Sequence, residues 1–173
     1  MIYFAQPTNG GPIRIGSSSL MNARRRTLGT WLPGGIETII EFPGGFLAEA
    51  ILHQCFNPLR VERDWFKSCD AVWKFILEAR EGVPSWLPID DGKAPKFDHA
   101  EITEEFGGIE AAPSQLGYSS QLNFDQAGRW QTGNGYVYAS RILFQRLLRT
   151  GALPAYITDM HVPSEPASQQ AAA

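Results

Sequence analysis

Glu49 and His53 stand four residues apart and Phe56 three further on, so in a helix a carboxylate, an imidazole and an aromatic ring share one stripe. Such a stripe can bind a divalent metal, although the same spacing on a surface helix often gives no more than a local hydrogen bond. The run Arg24-Arg25-Arg26 supplies cations. Successive helical residues are about 100° apart, so the three cannot face one way. Arg24, four after Leu20 and four before Leu28, shares their inward-leaning seam, and Arg25 and Arg26 point elsewhere. Taken singly, each feature has an ordinary reading. Three arginines make a solvated cationic face, Tyr3 is a half-buried strand tyrosine, and Asp64-Trp65-Phe66 is a turn followed by two core aromatics.

The elements that would position these residues are legible as patterns. Ile2 to Ala5 and Ile13 to Ser17 read as strands joined through the turn-rich Pro7-Thr8-Asn9-Gly10-Gly11-Pro12, and Ile36 to Phe42 as a third. Ser19 can cap a helix over 20–28 that Gly29 stops. Helical spacing returns from Phe46 to Phe56 and from Asp70 to Arg80, where Gly82 and Pro84 end it. The order is β-β-α-β-α-α, an α/β fold on a small three-stranded sheet flanked by helices and followed by a mainly α-helical C-terminal region. Pro84, Pro88, Gly92 and Pro95 mark residues 83–98 as a connector between a domain at 1–82 and a helical one at 99–162. An amphipathic helix from Tyr138 to Thr150 sets Leu143, Phe144, Leu147 and Leu148 against Arg141, Arg146 and Arg149 on the opposite arc. The Pro, Ser, Gln and Ala tail, 163–173, is expected to be disordered.

Composition narrows the function classes. With 43% apolar residues and 12 prolines in 173, the chain is globular with generous loops. It lacks an apolar run of the roughly 18 residues that span a bilayer and a secretory signal pattern, so no membrane partner and a cytoplasmic location are expected. Two cysteines and three separated histidines form no disulfide framework or paired zinc signature. A net charge of −3 argues against indiscriminate coating of nucleic acid, but the charge is uneven. Residues 90–110 carry seven carboxylates against Lys93 and Lys96, whereas 127–156 carry Arg129, Arg141, Arg146 and Arg149 and no carboxylate. The basic segments suit phosphates, and the acidic one suits a basic partner.

Together, the spaced residues resemble the GIY-YIG endonuclease superfamily over roughly residues 1–80. Ile2-Tyr3-Phe4, Arg14-Ile15-Gly16 and Arg24, eight residues past that glycine, follow the family's opening layout. Glu49, His53, Phe56, Arg60 and Asp64-Trp65-Phe66 follow the branch common in phage and bacterial proteins. The chain departs from the pattern in lacking the glycine of the first motif and in placing Arg14 where the second motif's tyrosine stands. The resemblance implies a DNA endonuclease that hydrolyses phosphodiesters with one Mg²⁺ (or Mn²⁺) held by Glu49. It also implies that Arg24 stabilises charge on the phosphoryl oxygens, that Tyr3 orients or deprotonates the attacking water, and that His53 carries a proton. One such centre cuts one strand, so double-strand cleavage would need a homodimer or two events.

The C-terminal half resembles a Cro/repressor-type helix-turn-helix through Phe106-Gly107-Gly108, Ala111, Leu116-Gly117, Trp130 and Val137-Tyr138-Ala139-Ser140-Arg141. It departs in a stretch before Trp130 that is several residues too long and in Pro113. The expected DNA contacts are Arg14, Arg25 and Arg60, with Arg129, Arg141, Arg146 and Arg149 in the C-terminal half. The competing readings are a non-catalytic DNA-binding regulator of phage type and a protein-interaction module built on the acidic 90–110 segment. A single cleft gathering Tyr3, Arg24 and Glu49 would favour the enzyme.

Overall fold

The first three strands form where their apolar residues are continuous and β-rich, and they pair without exception as antiparallel neighbours. In a computed structural model, which describes residues 1–20, 27, 34–89 and 135–162, β1 (Ile2–Pro7), β2 (Ile13–Ser17) and β3 (Ile36–Phe42) occupy the spans read from the sequence, β1 running two residues longer. Two short strands follow, β4 (Arg60–Glu62) and β5 (Trp65–Phe66), and the sheet order is β3-β1-β2-β5-β4. The sheet therefore has five strands, not the expected three. Segments of three and two residues carry no readable alternation; β5 joins β2 with Ile13 opposite Phe66 and Arg14 opposite Trp65, and β4 joins β5 with Arg60 opposite Phe66 and Glu62 opposite Trp65.

β1 is central to the first three strands, and this explains why Ile2, Tyr3, Phe4 and Ala5 are all buried. Its alternate residues divide between two faces. Ile2 and Phe4, with Ile13, Ile15 and Phe66, belong to the main core, whereas Tyr3 and Ala5 form a smaller cluster with Ile36.

The main face is covered by α1 (Phe46–Cys55) and α2 (Asp70–Glu81). On α1 the buried set is Leu47, Ala48, Ile51, Leu52 and Cys55, and on α2 it is Val72, Phe75, Ile76 and Ala79, each one helical stripe. Phe4 stacks on Phe75 at 5.3 Å between ring centres, and Phe56 meets Phe75 edge-on at 5.8 Å, so aromatic contacts join sheet and helices. Gly44 lets α1 begin directly over β1. Its φ is +154°, and a Cβ there would fall 2.7 Å from Ile2 Cγ1. The helix expected over 20–28 lies outside the described residues except for Leu20, which is exposed, and Thr27, which is helical.

Two further helices, α3 (Gly135–Arg149) and α4 (Ala155–Thr158), pack against the first half of the chain, α3 along α1 and α4 on α2. Ile142, Phe144, Leu153 and Ile157 join the core formed by residues 2–87. The Tyr156 hydroxyl donates to Glu78, and His161 Nε2 donates to the Cys55 carbonyl at 2.8 Å with its ring on Phe144. The connector expected at 83–98 is described only to residue 89. Of the helix-turn-helix resemblance only the part from 135 onward is described, inside α3.

Candidate active site

Glu49 and His53 face β2 because the stripe that carries them borders the buried stripe of α1. β2 alternates Ile13 and Ile15 into the core, and Ser17 continues that parity at the strand's end. The Ser17 hydroxyl donates to Glu49 Oε2. One turn along α1, His53 Nε2 lies 3.1 Å from the Ile15 carbonyl. A carbonyl only accepts, so Nε2 carries the proton and Nδ1 is the basic nitrogen. Burial pushes the His53 imidazole below the ordinary value of 6.5. The bond to Ile15 acts against that shift, and Arg60 adds to it. His53 is therefore neutral at pH 7 and able to accept a proton at Nδ1.

Arg60 lies on this same face, its guanidinium 4.7 Å over the Phe66 ring, and the ring of His53 is 5.1 Å from Phe66. It donates to the His53 carbonyl at 3.2 Å, to Asn57 Oδ1 at 3.1 Å and to the Arg63 carbonyl. Arg63 is the one non-glycine described residue with positive φ, at 47°, so Arg60 straps the turn of the β4–β5 hairpin. Its acceptors among the described residues are neutral, and the Asp64 carboxylate acts on its charge from further off. Arg14 differs. It reaches Asp64 at 2.7 Å, which neutralises it, and lies 5.8 Å from the Trp65 ring.

Tyr3 is on the reverse face. Its ring lies over Gly16, its cross-strand partner, so closely that a Cβ there would be 2.5 Å from the Tyr3 hydroxyl oxygen. The glycine of Arg14-Ile15-Gly16 is thus required by the tyrosine and not by its own backbone angles. Tyr3 is completely buried, while Glu49 is half-buried. The two meet the same strand end, at Gly16 and Ser17, from opposite sides of the sheet. Arg24, Arg25 and Arg129 lie outside the described residues. Arg141 and Arg146 are half-buried and Arg149 is exposed. Ile142, on the same arc as Arg146 and Arg149, is completely buried, so the arc that carries the arginines is itself partly covered.

Glu49 and Ser17 bring hard oxygen donors together, which is the donor chemistry of Mg²⁺, an ion that keeps several waters and takes one or two carboxylates. Among the described residues no three His, Cys, Asp or Glu side chains group as a ready-made metal cage, and a single carboxylate fits that pattern. Ser17 and Asp64 were not singled out as site residues from the sequence. The available signal for Ser17 was a polar residue at the core-facing parity of a strand. Asp64 stands in the spaced motif Asp64-Trp65-Phe66, but nothing in the sequence pairs it with Arg14, because that partner lies 50 residues away. A comparison with protein-family models, with curated proteins and with solved structures finds no match.

Proposed function

We propose that the protein is a metal-dependent DNA endonuclease of GIY-YIG type that hydrolyses phosphodiester bonds, its C-terminal region helping to hold DNA. The observation that carries the reading is the pairing of Glu49 and His53 with successive core-facing positions of β2, Ser17 and Ile15. Glu49 would hold one Mg²⁺ or Mn²⁺, which when bound polarises the scissile phosphate and lowers the pKa of water. His53, neutral and with Nδ1 unprotonated, would accept a proton from the attacking water. Arg60 would attract a neighbouring phosphate, and Arg24, by the resemblance, would stabilise negative charge on the phosphoryl oxygens. No helix among the described residues is long and apolar enough to cross a membrane.

The burial of Tyr3 favours a second reading, a domain of the same ancestry that binds DNA without cutting it, because a hydroxyl enclosed by protein cannot act on a bulk water. One experiment separates the two. Supercoiled plasmid is incubated with Mg²⁺ and wild-type protein, Glu49→Ala or Arg24→Ala. The enzyme reading expects nicking by wild type and a loss of at least about 100-fold in either variant, the scale of removing a single group that stabilises transition-state charge. An intact plasmid across metals and salt, with binding still detected by fluorescence anisotropy, leaves the non-cutting reading. Undiminished cutting by both variants overturns the site.

A further inference from the structure

We infer that Ser17 is a positioning residue for the metal carboxylate: its hydroxyl holds Glu49 Oε2 and thereby sets the plane in which Glu49 presents its oxygens to a divalent cation. The inference rests on the metal-dependent reading above and adds to it a residue outside the spaced motif. Ser17 is well placed for such a task because its backbone is held against β1. It pairs with Ile2 in the sheet, and the next amide, Ser18 N, donates to the Met1 carbonyl at 2.9 Å. Alternation with Ile13 and Ile15 then leaves its side chain one direction, toward α1.

Glu49 is held with similar economy. It lies in the first turn of α1, its amide donates to the Gly45 carbonyl at 3.0 Å, and the start of the helix is pinned where Gly44 passes close to Ile2. Ser17 and the approach to α1 at Gly44 thus both lie beside the same residue of β1, Ile2, and the hydroxyl bridges strand and helix. A glutamate on a free helix face spreads over several rotamers, and a donor on a rigid strand removes that freedom before the cation arrives. An ionised carboxylate offers about four lone-pair sites, and the hydroxyl occupies one of them. Both side chains are half-buried, which limits competition from water.

The test is Mn²⁺ binding read by electron paramagnetic resonance on the full chain, with no turnover needed. Wild type, Ser17→Ala, Ser17→Thr and Glu49→Ala are titrated at low ionic strength, and thermal melting is recorded for each. Loss of a positioning partner of a metal ligand typically weakens binding about 10-fold or more, so Ser17→Ala should raise the Mn²⁺ Kd by about that factor. Ser17→Thr, which keeps the hydroxyl, should stay within about twofold of wild type, and Glu49→Ala should abolish the site. Equal or tighter binding by Ser17→Ala overturns the inference while leaving the metal site standing. A Thr variant as weak as the Ala variant, at unchanged melting temperature, also overturns it. Wild type that binds no Mn²⁺ overturns the metal-dependent reading and this inference with it.

Discussion

Replacing Gly16 with alanine puts a methyl group where Tyr3 already is. The new Cβ would lie 2.5 Å from the hydroxyl oxygen, 2.6 Å from Cζ and 3.0 Å from Cε1 of that ring. Atoms in favourable contact sit roughly 3.5 Å apart, so the ring must move by about 1 Å. It has little room, because Tyr3 is completely buried and its ring is rigid. Overpacking of this kind costs about 1–3 kcal/mol. Position 16 is not among the positive-φ glycines, so alanine adopts its backbone without strain and gains about 0.4–1 kcal/mol through a less disordered unfolded chain. The expected net loss runs from near zero to about 2.6 kcal/mol, about 1.3 at the centre of both ranges. Urea unfolding followed by circular dichroism measures it as a lower midpoint at unchanged m-value. Tyr3→Leu removes the colliding atoms, so Gly16→Ala should cost at least about 1 kcal/mol less in that background. A strictly additive double variant refutes the argument that the tyrosine is what demands glycine there.

Acidification should destabilise the protein through His53. Its folded pKa is held below 6.5, so the unfolded chain protonates first; this stability is complete above pH 6.5 and is lost as pH falls toward the lowered folded value. Urea midpoints measured from pH 7.5 to 5 should show the decline, and His53→Gln should flatten it; an equally steep decline in the variant sinks the assignment. Asp64→Ala should cost about 1–2 kcal/mol, the lower part of the range for a buried donor left without its acceptor, since Arg14 is only 16% exposed and Asp64 is 36% exposed. A further Arg14→Met change should recover part of the loss, and an Asp64→Ala variant as stable as wild type in urea would show the pair to be energetically idle.

Short-range pattern accounts for what was readable without coordinates. β1, β2 and β3 and the helices α1, α2 and α3 lie where period-2 and period-3.6 spacing put them, within a few residues, because both periods are properties of neighbouring residues. The Glu49–His53 stripe was readable for the same reason, being one turn of one helix. The apolar face of α3 was only half legible. Phe144 is buried as its spacing implies, but Ile142 is buried on the arc assigned to arginines, because that arc too is covered.

The sequence by itself thus determined the α/β class, the spans of its longer elements and the helical stripe on which Glu49 and His53 sit. Tertiary structure alone decided how that stripe is completed. Ser17 reaches Glu49 across 32 residues of chain, the Ile15 carbonyl meets His53 across 38, and Asp64 neutralises Arg14 across 50. It alone added β4 and β5 to the sheet, placed α3 and α4 on the common core and set Tyr3 on the face opposite Glu49. The reason is physical: spacing along a strand or helix says which residues share a face, but strand pairing and helix docking choose which two faces meet, and those choices are made by burial summed over the whole core.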